Sequence, residues 1–413
     1  MRAAVVALGC PKNRVDSEYL LGALRAAGYE LTENLPEADL IVLTTCGFLA
    51  AAVRESESTL RRLLLLKKKN PLVKIFVAGC LVERCGKSLE KRFPSVDRWL
   101  NLKEMKQLFS TPPARLISTP SHYAYLKIAD GCDNRCSYCL IPSIRGPFRS
   151  RKAEEVIAEA EALVGGGVKE LILVAQDTTL YGKDRYGKPM LGRLLSQIEQ
   201  IKGLRWIRLL YTHPAHLNEE VIEQFGSNPK LCRFLDLPIQ HISDRILTAM
   251  NRHYTRRDVE RVLDRLRAIP EMRIRTTVIT GFPGETKAEF EELWRFVEQA
   301  KFDRLSGYAF SPEPDTRAAK MPGKVDRNTS RMRLFQILKT QAEVSRQKLK
   351  SMVGMEVVVL MDFPWQGRTE WDAPEIDGVV KITGRQSVPP GEFARVRITG
   401  SSTHDLRAEV IEA

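Results

Sequence analysis

Cys132-Asp133-Asn134-Arg135-Cys136-Ser137-Tyr138-Cys139 sets three thiols on one short loop, directly after an apolar, β-rich run at residues 125–128. Three thiolates can hold three irons of a 4Fe–4S cube and leave the fourth iron open to a cofactor or substrate. A zinc site or three unrelated cysteines are the alternatives, but structural zinc usually takes four ligands in two-by-two spacing, and no fourth Cys or His lies close in sequence. Downstream, apolar runs at 171–175, 206–211, 234–237, 273–280 and 306–310 alternate with helical patterns at 153–164, 256–268 and 287–300. Six such strands spell a partial, open TIM-like (βα)6 barrel with the cysteine loop at the end of its first strand. Gly165-Gly166-Gly167 falls between a helix and a strand, where it reads as a helix C-cap and not as a phosphate loop.

Upstream, runs at 3–8, 40–43 and 74–78 alternate with helical patterns at 17–27 and 49–68, which predicts an open parallel α/β sheet. Cys10, Cys46 and Cys80 each follow one of these strands. Open α/β sheets bind ligands at the carboxyl ends of their strands, so these three thiols can converge on one crevice; three unrelated buried thiols are the alternative. A proline-rich stretch at 110–120 reads as a linker. Asn328 or Thr329 is expected to cap a basic helix running to about Met352, and short alternating strands at 356–361, 379–383, 393–399 and 406–411 then predict a small antiparallel β-barrel of the OB type. The expected domains are 1–110, 111–350 and 351–413. Cys85 and Cys232 fit neither triad and are read as buried structural thiols.

The 413 residues carry 43% hydrophobic and 28% charged side chains, which excludes a disordered chain or a disulfide-stapled miniprotein. No apolar run approaches the roughly 18 residues of a membrane span. Val6-Ala7-Leu8-Gly9-Cys10 mimics a lipoprotein cleavage box, but the apolar stretch before it is too short for a signal, so a cytoplasmic protein is expected. Eight cysteines in a reducing compartment then point to metal or catalysis. The net charge is +13, unevenly placed: residues 351–413 carry −4 and the rest +17.

The CxxxCxxC loop after the first strand of a (βα) domain resembles the radical S-adenosylmethionine (AdoMet) superfamily. That resemblance implies AdoMet on the open iron and a 5′-deoxyadenosyl radical, with Tyr138 beside the adenine. Gln176-Asp177 and Gly281-Phe282-Pro283-Gly284-Glu285 occupy positions of AdoMet contacts, which implicates Gln176 and Gly281; Arg145-Gly146 and Arg149-Ser150-Arg151 also follow the family pattern. Leu8-Gly9-Cys10-Pro11-Lys12-Asn13, Val15-Asp16-Ser17-Glu18, Thr45-Cys46 and Ala78-Gly79-Cys80 resemble the N-terminal domain of methylthiotransferases. In that family Cys10, Cys46 and Cys80 would hold a second 4Fe–4S cluster beside the Cys132, Cys136 and Cys139 cluster. The implied reaction replaces C–H by C–S–CH3, with AdoMet as both methyl donor and radical source. Asp236-Leu237-Pro238-Ile239-Gln240-His241 resembles a segment lining the barrel mouth, but no catalytic residue is assigned beyond the cluster ligands, His241 included.

Two branches share this machinery, one acting on a tRNA adenosine next to the anticodon and one on the β-carbon of an aspartate in small-subunit ribosomal protein twelve. The C-terminal barrel resembles a TRAM domain, usually an RNA binder. A tRNA-gripping barrel should be basic, whereas this one clusters Glu370, Asp372, Glu375 and Asp377 around Trp371, a surface expected to repel RNA and attract a basic protein loop. Residues 371–378 and the N-terminal motifs also resemble the ribosomal-protein branch. The reading is therefore a ribosomal-protein aspartate methylthiotransferase served by a low-potential donor such as flavodoxin or ferredoxin. A tRNA methylthiotransferase is the alternative, and a cluster protein without enzymatic activity is a further one. Ser311-Pro312-Glu313-Pro314-Asp315-Thr316 departs from the family pattern and leaves the local loop shape open.

Overall fold

Three sheets organise the chain, and the computed structural model describes them over residues 1–108, 115–384 and 387–412. The first comprises β1 (Arg2–Ala7), β2 (Glu30–Leu31), β3 (Leu40–Thr45), β4 (Lys74–Gly79) and β5 (Arg98–Leu100), all parallel, in the order β2-β1-β3-β4-β5. Helices α1 (Pro11–Ala26), α2 (Ala50–Lys69), α3 (Cys80–Arg92) and α4 (Leu102–Gln107) connect or follow its strands. The fully buried run Leu-Ile-Val-Leu of β3 forms the central strand, with the largely buried β4 beside it, because both faces are covered. Helix α1 begins six residues before the expected start. Pro11 supplies the fixed φ of a first helical turn, and the polar residues Lys12, Asn13, Asp16, Ser17 and Glu18 are buried, so no amphipathic stripe marked this stretch. The expected linker lies partly outside the described residues.

The second sheet runs β13-β12-β11-β10-β9-β6, parallel throughout and open between its first and last strands. Its strands are β6 (Tyr123–Lys127), β9 (Glu170–Val174), β10 (Trp206–Leu209), β11 (Leu231–Asp236), β12 (Arg273–Thr280) and β13 (Arg304–Ala309); β7 (Ala129–Asp130) and β8 (Arg149–Ser150) form a separate antiparallel pair. Helices α5 (Ile141–Arg145), α6 (Ala153–Gly165), α7 (Lys183–Tyr186), α8 (Leu191–Glu199), α9 (Glu219–Ser227), α10 (Asp244–Ala249), α11 (Arg256–Arg267), α12 (Lys287–Ala300) and α13 (Arg327–Lys350) complete this region. Gly165 ends α6 and Gly166 is its C-cap, as the triple-glycine run suggested. The cap of α13 is Asp326, which accepts from Thr329 N at 2.9 Å, and not Asn328 or Thr329: a carboxylate at the preceding position satisfies the free amides first.

One face of the second sheet packs under its helices through Leu126, Leu171, Leu173, Ile207 and Leu235. The opposite face carries Tyr123, Tyr125, Ile172, Val174 and Phe234, and it is covered by Val15 of α1 and Ala373 of the C-terminal region. The third sheet is a closed barrel of β14 (Glu356–Phe363), β15 (Gln366–Thr369), β16 (Val380–Thr383), β18 (Leu406–Glu412) and β17 (Phe393–Ser401). Its strand pairs are antiparallel except β16 with β18, which run parallel. Cys232 is buried, whereas Cys85 is only half-buried, beside the Gly86 kink of α3.

The acidic stretch around Trp371 faces inward, contrary to the charge-based expectation. Glu375 pairs with Arg14 (2.6 Å), Asp372 with Arg304 (2.6 Å) and Asp377 with Arg275 (3.3 Å). Glu370 accepts the Arg233 amide at 2.8 Å. These carboxylates fasten the barrel to the rest of the chain; of the four, Glu375 alone stays largely exposed, so little free acidic surface is left for a basic loop.

Candidate functional site

The first thiol triad lies where three strands of the first sheet end. Cys10 follows β1 and caps α1, Cys46 follows β3, and Cys80 opens α3 directly after β4. Close approach of the loops requires glycine at two positions. Gly9 (φ +102°) would set a Cβ 3.0 Å from that of Cys46, and Gly79 (φ +100°) one 2.8 Å from the Thr45 carbonyl. Hydroxyls stitch the strand ends together: Ser17 to Thr44 (2.7 Å), Thr45 to the Ala78 carbonyl (2.6 Å) and Ser56 to the Cys46 carbonyl (3.0 Å). Burial pushes the Cys80 thiol up to about 11 and raises Cys46. Burial acts on Cys10 too, but Lys12, Arg145 and the amides of the first turn of α1 outweigh it and hold that thiol below its ordinary value.

Arg145 comes from the second sheet's region. It donates to Asp16 at 3.0 Å and to Asp130 at 3.1 Å, and its Nη2 is buried without a hydrogen-bond partner. Asp16 also takes Lys127 Nζ. One guanidinium thus spans the two sheets and acts electrostatically on Cys10 and Cys80.

The second triad lies on the loop after β6 and β7. Cys132 N donates to the Gly146 carbonyl (3.1 Å), and Ser137 is clamped between the Met250 carbonyl (2.9 Å) and Ala318 N (2.8 Å). Arg252 Nη1 reaches Cys136 Sγ and Ile141 N reaches Cys139 Sγ, both at 3.4 Å. Burial pushes the Cys132 and Cys139 thiols up to about 12, so a cation must enter before these sulfurs ionise. Neither triad has its sulfurs within 4.8 Å of one another; among the described residues, the one group that tight is Asp177, His213 and His216. A single zinc with bonds of about 2.3 Å draws its sulfurs closer than that, at roughly 3.8 Å. Two all-sulfur sets of three are a donor chemistry that fits iron–sulfur cubes with one open iron each.

Gln176 follows β9 with both amide atoms buried and without a hydrogen-bond partner, which is rare for buried polar groups. Tyr138 packs edge-on to Phe282, ring centroids 6.5 Å apart, in a cluster with Ile279 and Ala318. Gly281 (φ +72°) has a fold-level reason for its identity, since a Cβ there would lie 1.9 Å from Ser330 Oγ. Its amide is occupied by Glu285 at 2.7 Å. Buried His241 is held by Glu285 (3.2 Å) and by Ser243 N (3.0 Å), a structural arrangement.

The chain matches the radical SAM superfamily over residues 126–297, the TRAM domain over 353–411 and uncharacterized protein family UPF0004 over 2–101. It is 43% identical to the ribosomal protein uS12 methylthiotransferase RimO of Pelotomaculum thermopropionicum over 441 residues, covering 100% of this chain and 99% of the relative. The chain belongs to the uS12 methylthiotransferase family. The RimO of Elusimicrobium minutum is 39% identical over 98% of this chain and 99% of its own length. The cobalamin- and [4Fe-4S]-bound radical methyltransferase TsrM of Kitasatospora setae shares the fold, with a TM-score of 0.54 at 14% identity over 75% of each chain.

In this uS12 methylthiotransferase family member, His213 and His216 beside the cysteine loop carried no sequence signal, whereas their partner Asp177 belongs to the Gln176-Asp177 pair. Asp177 accepts from Asn134 of the cysteine loop and bonds His216, each at 2.8 Å, and His216 stacks on buried His213 at 4.6 Å. Burial opposes ionisation of Asp177, but His216, His213 and Thr179 win and hold it at about 2. Both histidines follow β10, a strand-end position that marks them once the strand is placed. The unusual loop also finds its role in this family member. Glu313 is buried and receives Ala50 N (2.9 Å) and Arg84 (3.1 Å), which ties the end of the second sheet to the Cys46 loop.

Proposed function

We propose that the chain inserts a methylthio group at the β-carbon of an aspartate of ribosomal protein uS12. The observation that carries this reading is the pair of thiol triads at the carboxyl ends of two parallel sheets, bridged by Arg145, in a member of the uS12 methylthiotransferase family. Cys132, Cys136 and Cys139 would hold one 4Fe–4S cluster, and Cys10, Cys46 and Cys80 the other. When bound, the two clusters and AdoMet supply the low-potential electron, the hydrogen-abstracting radical, the sulfur and the methyl group.

The chain's own groups prepare that chemistry. Cluster assembly must displace protons from the thiols, because Cys132, Cys139 and Cys80 stay protonated at neutral pH without a cation. Arg252 and the Ile141 amide then donate to the sulfurs of Cys136 and Cys139 and spread their charge. Arg145 does the same electrostatically for Cys10 and Cys80. Tyr138, packed against Phe282, offers an aromatic wall for the AdoMet adenine, and Gln176 an unpaired amide for its polar end. Gly281 contributes close approach at the end of β12, its amide already being taken. Among the described residues no helix is long and apolar enough to cross a membrane. A cytoplasmic enzyme served by flavodoxin or ferredoxin fits this reading.

The test is mass spectrometry after anaerobic incubation of the cluster-reconstituted enzyme with AdoMet and a reductant, offering uS12 and bulk tRNA together. A methylthio mass gain on an aspartate of uS12 is expected. A gain on tRNA adenosine alone, or none on either, overturns the proposal.

A further inference from the structure

Lys12, Lys127, Arg145, Arg252 and Arg275 are buried or nearly buried cations, and four of them have hydrogen-bonding partners. Lys127 pairs with Asp16, Arg145 with Asp16 and Asp130, and Arg275 with Asp236 and Asp377. Arg252 is held by the Pro238 carbonyl and the Tyr254 hydroxyl. The fifth is Lys12. It is 7% exposed, and among the described residues no carboxylate lies within ion-pair distance of it. Its ammonium sits instead 3.1 Å above the centroid of the Tyr211 ring. A ring face stabilises a desolvated cation by about 2 kcal/mol, less than a buried ammonium needs, so the site is electrostatically incomplete.

The surroundings are built to hold this lysine in place. Lys12 lies in the first turn of α1, two residues from Cys10, and crosses to the second sheet. Tyr211 stands just beyond β10 in a left-handed backbone conformation (φ 61°), which a bulky residue adopts only when its surroundings impose it. Asp236 imposes it here: one carboxylate oxygen takes Tyr211 N at 3.0 Å, and the other takes Arg275 at 2.9 Å. Asp236 is therefore engaged on both oxygens, and it acts on Lys12, as Cys10 and Asp130 do, only from beyond ion-pair distance.

We propose that Lys12 is the specificity-determining residue that receives the side-chain carboxylate of the substrate aspartate, with Tyr211 as its platform. This rests on the uS12 reading above. A carboxylate on Lys12 Nζ would complete the ion pair and hold the carbon next to it towards the Cys10 triad, whose thiol already feels the Lys12 charge. An asparagine in its place carries no charge to meet the ammonium. A site built around a buried charge rejects such an analogue far more strongly than an apolar pocket rejects a missing methylene.

The experiment uses the cluster-loaded enzyme and two forms of uS12, one with the target aspartate and one with asparagine in its place, and measures anaerobic binding and turnover. Wild type should bind the asparagine form at least about tenfold more weakly. Lys12→Met should lower kcat/KM on the aspartate form about 100-fold, chiefly through KM, and bind the two forms alike, while AdoMet cleavage at the Cys132, Cys136 and Cys139 triad matches wild type. Equal binding of the two forms by wild type overturns the proposal without needing the variant. So does a Lys12→Met enzyme that still discriminates. If wild type leaves uS12 unmodified, the functional reading itself fails and the lysine's role with it.

Discussion

Asp372→Asn tests whether the acidic stretch of the C-terminal barrel is a fastening or a surface. Asp372 is 4% exposed at its side chain; it takes Arg304 at 2.6 Å through one oxygen and the Thr369 hydroxyl at 2.6 Å through the other. The amide keeps the shape and at most one of these bonds, and it strands the Arg304 guanidinium, 12% exposed. Breaking a buried pair from one side costs about 3–5 kcal/mol. Asp377 also lies within electrostatic reach of Arg304 and recovers part of this, which leaves about 3 kcal/mol. At 1.4 kcal/mol per tenfold, local opening of the dock should become about 100-fold more frequent. Hydrogen exchange followed by mass spectrometry reads this directly: amides in residues 369–379, and those of β13 facing them, should exchange about 100-fold faster while the first sheet is unchanged. An exposed carboxylate would be worth under about 0.5 kcal/mol. Acceleration of less than about threefold would therefore refute the inward assignment.

Cys132→Ala should abolish AdoMet cleavage, whereas Cys46→Ala should spare cleavage and block sulfur insertion; deoxyadenosine and methylthio product are measured by mass spectrometry, and equal loss of cleavage in both contradicts the division of roles. Arg145→Met removes the cation shared by Asp16, Asp130, Cys10 and Cys80, so iron should be lost preferentially from the Cys10 triad, roughly half of the total, as read by Mössbauer spectroscopy; full iron content would refute it. Glu289 caps α12 in a capping box with Thr286 and pairs with Arg245, and despite some burial these bonds hold it at about 2. A depressed carboxyl stabilises the fold above its unfolded value of about 4.3 and loses that contribution as pH falls towards about 2. Glu289→Gln should therefore cost about 1–2 kcal/mol near neutrality and progressively less below about pH 4.5, measured as the difference in Tm between variant and wild type.

Where local chemistry decides local structure, the sequence was readable. Helix α12 runs from Lys287 to Ala300 as its pattern predicts, because the Thr286–Glu289 box and the apolar positions Phe290, Leu293 and Val297 agree. The Cys10, Cys46 and Cys80 set was legible because each thiol follows a strand, and the Cys132, Cys136 and Cys139 set because its spacing puts three thiols on one loop. What the sequence hid is polar and distant. The start of α1 buries Lys12, Asn13, Asp16 and Glu18 against the second sheet's region, so its inner face looks like a surface. The partners of Glu375, Asp377 and Asp372 are Arg14, Arg275 and Arg304, from 68 to 361 residues away, so local charge counting took a dock for an exposed patch. The ribosomal-protein reading therefore rests on the motifs and on the full-length relatives, and the net charge of the barrel gives it no support. Glu313 was hidden in the same way, its partner Arg84 lying in the first domain.

Glu170, the first residue of β9, is buried between Arg208 (2.7 Å) and Arg368 of the C-terminal barrel (2.7 Å), while Arg208 reaches the Glu370 carbonyl at 2.6 Å. The central sheet thus keeps a fully buried charge whose second partner is made some two hundred residues later. During synthesis β9 and β10 leave the ribosome long before β15 does. At about 5–20 residues per second the wait is tens of seconds, which is long against the microsecond-to-second folding of small domains. Until then, one face of the sheet has neither its ion partner nor its apolar cover from Ala373. A chain truncated before the barrel would lose more than an appendage: its middle domain would be left with an open, charged floor, prone to aggregation. The C-terminal barrel is the last part of the middle domain to be made.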